Sequence, residues 1–235
     1  LIRRSIEGKV YKEKIRLRTY GRAQDDSEAF IELKKKLKDG TFTIDFCDDS
    51  LHTNGNLSIC GGTYTLSTGD DGMHADGADQ VYGGEITIKT CYEGIKGQNM
   101  EISGGTIDIT ASDDGNGALD YNGTATITGG TLVAAGMSGM EQNFGSDSTQ
   151  GTLMMNLTDN QSGKITLEDA NGNTLVSYTP MREYNSVVIS CAELSDGSTY
   201  TIHTGENSRE VTMEGLVYTD GEVTNAPGQG GGQKP

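Results

Sequence analysis

The sequence predicts an all-β chain, a parallel β-helix of stacked coils closed by a small antiparallel β unit. Three observations predict it. An acidic turn, a glycine pair and a short alternating strand recur along residues 48–134. The second glycines of the pairs, Gly62, Gly84, Gly105 and Gly130, follow one another at steps of 22, 21 and 25 residues. No part of the repeat keeps helical periodicity over a useful length.

Taken in order, residues 1–24 are expected to form an irregular first coil or its cap, with Ile15 and Leu17 as an alternating pair. Residues 25–155 are assigned to the β-helix. Asp25-Asp26-Ser27 lies 23 residues before Asp48-Asp49-Ser50, and Asp39-Gly40-Thr41-Phe42-Thr43-Ile44 repeats as Gly61-Gly62-Thr63-Tyr64-Thr65-Leu66. A competing local pattern is a helix capped by Asp25 and Glu28, with Phe30, Ile31, Leu33 and Leu37 on one face. The register match favours a coil.

The later coils each offer three apolar sets. Leu51, Met73 and Ile95 follow the acidic turns; Leu57/Ile59, Val81, Met100/Ile102 and Ala125/Ile127 precede the glycine pairs. Tyr64/Leu66, Ile86/Ile88, Ile107/Ile109 and Leu132/Ala134 follow them, alternating with polar neighbours as half-buried strands do. Three inward faces per coil are what a parallel β-helix needs. Residues 156–222 change pattern: Lys164–Leu167 and Leu175–Tyr178 flank an Asn171-Gly172 turn, and further short strands follow. This unit is expected to close the open end of the stack. Residues 223–235 read as a flexible tail.

Charge is unevenly placed within a net of −16. Residues 1–40 hold twelve Lys/Arg against seven Asp/Glu, and the remainder six against twenty-seven. The acidic body argues against nucleic acid as a partner, and no reader motif accompanies the basic start. There is no signal-peptide pattern and no apolar run long enough to span a membrane. A start at Leu1 leaves room for a cleaved leader or a larger parent protein. The four cysteines do not read as a disulfide framework: Cys47 and Cys91 fall two coils apart, about 9–10 Å, too far to bridge.

Residues at equivalent places in stacked coils lie above one another. Asp49, Asp71, Glu93 and Asp114 are therefore expected in one column, beside Asp48, Asp70 and Asp113. Carboxylates about 5 Å apart repel strongly unless something neutralises them. Lys96 is the basic residue close by. A calcium ion between coils would supply the charge, since it takes six to eight oxygens and tolerates irregular geometry. Asp49, Asp70, Asp71, Glu93, Asp113 and Asp114 are the candidate ligands, with Asp76 and Asp120 secondary. The alternative is a set of exposed acidic turns. His52 and His74 also stack, as a polar ladder or as a transition-metal pair. Asp79 stands at an inward position where an apolar residue is expected, which suggests a distortion or an extra ligand.

Several stretches resemble a bacterial carbohydrate-binding domain family, typified by a clostridial protein that binds cellulose and polygalacturonate. They include Asp70-Asp71-Gly72-Met73-His74-Ala75-Asp76-Gly77, Tyr92-Glu93-Gly94-Ile95, Ala111–Gly115, Gly117–Gly123 and Ser138–Gly145. The resemblance implies a right-handed β-helix, calcium at the acidic turns and an extracellular or cell-surface setting. It further implies non-catalytic binding of polysaccharide, acidic or from plant cell walls. Tyr82, Tyr92 and Tyr121 are the candidate sugar-stacking surfaces, and Lys96 the candidate contact for an acidic group. Gly115-Asn116-Gly117 departs from a longer glycine-rich loop in many members. Two other functions compete: a structural cell-surface or adhesin segment, and a calcium-dependent polysaccharide lyase using Lys89 or Lys96 as base.

Overall fold

The computed structural model describes residues 13–18, 30–35, 40–112 and 116–221, and it divides the chain into two units, Leu1–Gly40 and Thr41–Pro235. In the first unit, β1 (Glu13–Arg18) and β2 (Phe30–Lys35) form an antiparallel pair. Strand, not helix, is found at 30–35, and its partner is β1 instead of a parallel coil. Both segments alternate with period two, and the register sets Ile15 opposite Leu33 and Leu17 opposite Ile31. The Asp25–Glu28 pattern and the tail from residue 223 lie outside the described residues.

The second unit begins with the coils. Its strands are β3 (Thr41–Cys47), β4 (Leu51–Thr53), β5 (Leu57–Thr68), β6 (Met73–Thr90), β7 (Ile95–Thr110), β8 (Leu119–Tyr121) and β9 (Ala125–Gly136). Pairing among them is parallel throughout. Each long strand bends at its glycine pair and so contributes to two faces. At the bend Gly84, Gly105 and Gly130 have φ of 112°, 94° and 96°, a left-handed region that residues with a Cβ rarely enter.

The register stacks like on like. Leu51, Met73, Ile95 and Leu119 form one inward row, and Ile59, Val81, Ile102 and Ile127 another. Leu66, Ile88, Ile109 and Ala134 form a third. These side chains make one continuous buried core, which no single coil could enclose. The β-helix fold expected from the repeat is present, with about four turns.

After β9 the sheet continues with reversed strands. The remaining strands are β10 (Thr152–Gln161), β11 (Ile165–Asp169), β12 (Thr174–Tyr178), β13 (Tyr184–Ser190), β14 (Thr199–Thr204), β15 (Asn207–Thr212) and β16 (Val217–Asp220). Spatially β13 pairs antiparallel with β9, β10 with β13, and β16 runs parallel to β10. A separate sheet, β12-β11-β14-β15, is antiparallel. Its Ile165, Leu167, Val176 and Ile202 share a second core with Val133, Ala135, Leu153, Met155, Val187 and Ile189. Cys60 is exposed, Cys91 and Cys191 are buried, and all three are free thiols. No helix among the described residues is long and apolar enough to cross a membrane.

Candidate functional site

The acidic turns come together because coil stacking pulls the residues before β4, β6 and β7 into register. Ser50 N donates to Asp71 O at 3.0 Å, and Gly72 N to Glu93 O at 2.9 Å. Asp70 N donates to Asp48 O at 3.2 Å and Tyr92 N to Asp70 O at 2.7 Å. The side chains take part too, with Asp71 N donating to Asp49 Oδ1 at 3.1 Å. Carboxylate oxygens of Asp49, Asp70 and Asp71 all lie within 4.8 Å of one another.

Gly72 and Gly94, which follow the acids, have a packing role. A Cβ on Gly94 would stand 2.5 Å from Ala118 O and 2.4 Å from Ile109 Cγ2. Their carbonyls accept from Leu51 N and Met73 N, so they serve the stack.

A second column runs beside the acids, three residues on. His52, His74, Lys96 and Asp120 are register partners. His52 Nδ1 is 2.7 Å from Asp49 Oδ2. His74 Nδ1 is 3.5 Å from Asp49 Oδ2 and 3.3 Å from Asp71 Oδ2. Lys96 Nζ is 2.5 Å from Glu93 Oε2 and 3.5 Å from Asp71 Oδ2. The acid column is thus partly answered by bases within the protein.

Burial still dominates. It pushes the Asp71 pKa up to about 7, against the lowering pull of Lys96 and with added repulsion from Glu93, Asp70 and Asp49. Burial also raises Glu93, opposed by its bond to Lys96. Burial would lower Lys96, but Glu93, Asp71 and Asp120 together hold it above the usual lysine range. Asp71 Oδ1 is buried and has no hydrogen-bond partner among the described residues. Three converging carboxylates with a spare buried oxygen form the kind of oxygen set that hard divalent cations take. Glu93 is the poorer donor, since Lys96 holds it.

The other sequence-predicted residues are placed less uniformly. Asp76 is exposed, accepts from Asn54 Nδ2 at 3.1 Å and faces His74 Nε2 at 3.9 Å. Tyr92 is exposed beside Asp70, whereas Tyr82 is exposed at the bend next to Gly83. The structure does not bring these two onto one turn. Tyr121 packs against the core, and its hydroxyl donates to Asn143 O at 2.6 Å. Asp113 and Asp114 lie outside the described residues. Their flanks show an insertion: the coil offset is 20 from Tyr92 to Ser112 but 24 from Ile95 to Leu119.

Sequence reasoning passed over the end of the acid column. Glu141 is buried, and its carboxylate accepts from Ala118 N at 2.8 Å and Leu119 N at 3.2 Å. Burial pushes its pKa up to about 7 against those backbone donors. Gln142 Oε1 accepts from Tyr121 N at 2.7 Å and its Nε2 donates to Tyr121 O at 3.2 Å. A side-chain amide there stands in for the peptide group of a further coil. The Asp/Glu-x-x-His/Lys spacing, repeated at 49, 71 and 93, was the available signal for the basic column.

Residues 36–140, which contain β3 to β9 and every acidic turn above, match the family model described as carbohydrate-binding domain-containing protein. No curated protein and no solved structure matches the chain.

Proposed function

We propose, on the premise that residues 36–140 are a carbohydrate-binding domain, that the chain binds an acidic polysaccharide through calcium held by Asp49, Asp70 and Asp71. The family match supports the polysaccharide. The observation that carries the calcium is the buried, unpartnered Oδ1 of Asp71 within a triad of carboxylates. An acidic coil body would repel a polyuronate unless a bound cation inverts the local field. Calcium shared between the protein's carboxylates and those of the sugar does that.

Tyr92, exposed beside Asp70, offers a ring face to a sugar at the same turn. Lys96 keeps about a third of its side chain exposed and lies beside Asp71. Tyr82 is a second, separate stacking surface on the solenoid. A plant cell-wall glycan at an extracellular or cell-surface location fits the same chemistry.

Binding without catalysis is the role these residues favour. A lyase base must give up its proton readily, whereas Glu93 and Asp71 hold the proton on Lys96. Calorimetric titration with an oligogalacturonide, with calcium and then with excess chelator, tests the reading. Loss of binding on chelation is expected. Undiminished binding would overturn the calcium bridge while leaving sugar recognition in place.

A further inference from the structure

The acidic corner carries nitrogen donors as well as oxygens, and their spacing is specific. Asp49 Oδ2 lies 2.7 Å from His52 Nδ1 and 3.5 Å from His74 Nδ1, and His74 Nδ1 lies 3.3 Å from Asp71 Oδ2. Ligand atoms around a tetrahedral zinc ion with bonds of about 2.0–2.1 Å stand roughly 3.3 Å from one another. The ligand atoms of Asp49, His52 and His74 all fall within 4.8 Å, close enough to converge on one ion. The two rings stack with centroids 4.6 Å apart and planes 23° from parallel, so both present the same edge to the acids.

We propose that Asp49, His52 and His74 bind a divalent transition-metal ion of the zinc class, with the fourth position left open to solvent. Two further observations point the same way. Asp71, only 2% exposed, sets a further carboxyl oxygen 3.3 Å from His74 Nδ1, so acidic groups gather on the Nδ1 side of the ring. Asp76 Oδ1 lies 3.9 Å from His74 Nε2, a second carboxylate on the far side of that ring.

Imidazole nitrogen suits zinc, nickel and copper far better than calcium. The ion would clamp the coil carrying His52 to the coil carrying His74, at the upstream end of the described coils. Asp49 is shared with the calcium triad, so the two ions exclude each other. That last clause rests on the calcium reading; the zinc site itself does not.

The test is calorimetric titration of metal-free protein with Zn2+ alone, with Co2+ absorption as a geometric readout. One ion per chain is expected, with intense visible bands of tetrahedral cobalt. His52→Gln and His74→Gln should each weaken zinc by about tenfold or more, as loss of a ligand does at least as strongly as loss of an outer-shell partner. Thermal melts of both variants establish that they fold, and His52 is exposed enough to tolerate the change. Calcium titration of the same variants should be unchanged, which separates failure of this proposal from failure of the calcium triad. Absence of saturable zinc binding, zinc binding indifferent to both histidines, or a weak octahedral cobalt spectrum would each overturn it.

Discussion

The backbone N–H of Asp71 donates to Asp49 Oδ1 at 3.1 Å, although 22 residues of chain separate the two. One carboxylate therefore does two things. Its Oδ1 pins the register of the next coil, and its Oδ2 faces His52 and His74. The two roles can be separated by mutation. Asp49→Asn keeps an oxygen acceptor for Asp71 N, so the fold should lose well under 1 kcal/mol, while any metal-dependent stabilisation falls away. Asp49→Ala also orphans the donor and should cost about 1–2 kcal/mol. Thermal melts of both variants, with calcium and with chelator, check this; equal loss in both would show that the register pin is unimportant.

Lys96 should behave as an internal counter-ion that competes with bound metal. It lies against Glu93 and Asp71, both of them buried. Lys96→Met leaves those carboxylates unanswered, and the chelated protein should lose about 2 kcal/mol, less than for a fully buried pair because the lysine is partly solvated. Calcium should then bind more tightly than to the parent, because the column has lost its own cation. A denaturant melt and a calcium titration of the variant measure the two effects. Weaker calcium binding in Lys96→Met would instead make the lysine a support for the site.

Close stacking at the glycines after the acids gives a sharp contrast between two alanine substitutions. Gly94→Ala would place a methyl 2.5 Å from Ala118 O and 2.4 Å from Ile109 Cγ2, so the coils must separate. A loss of about 2–3 kcal/mol is expected. Gly55→Ala meets nothing nearer than Thr53 Oγ1 at 4.0 Å and should stay within about 0.5 kcal/mol of the parent. Comparable losses at both positions would mean that glycine flexibility, not coil contact, governs these turns.

The coils were legible because their signal is redundant. Leu51, Met73 and Ile95 recur at one spacing, and each copy repeats the message of the others. What escaped is what occurs once. β2 carries the same alternation as a coil strand, and alternation alone does not say whether a partner runs parallel or antiparallel. Insertion of β13 between β9 and β10 joins segments distant in sequence, which no local pattern reports. Glu141 and Gln142 end the column with side chains acting as backbone, and the sequence has no periodic mark for that. In the candidate site the sequence shows the acid column, Lys96 beside it and the stacked pair His52 and His74. What escapes that reading is the link between the two sets, each base lying against the acid three residues before it.

Asp79 offers a pH dependence whose sign can be fixed in advance. It sits in an inward row between Leu57 and Met100, is fully buried, and neither carboxylate oxygen makes a well-formed hydrogen bond among the described residues. Burial pushes its pKa up to about 7, with the Ala75 backbone only partly opposing it. Between about pH 4 and pH 7 the unfolded chain releases this proton and the folded chain keeps it. The residue therefore costs nothing in acid, costs more as pH rises through that window, and reaches its full penalty above pH 7. At about 1.4 kcal/mol per pH unit the penalty is on the order of 4 kcal/mol. Asp79→Leu, which restores the apolar row, should raise the urea midpoint strongly at pH 8 and little at pH 4. Asp79→Asn should recover part of that gain, since the charge goes but a buried amide remains. Glu141 and Asp108, raised by burial to about 7 and about 6, leave a residual slope of the same sign in both variants. A parent and an Asp79→Leu protein whose midpoints fall in parallel from pH 4 to pH 8 would show that Asp79 is already ionised in the folded coil.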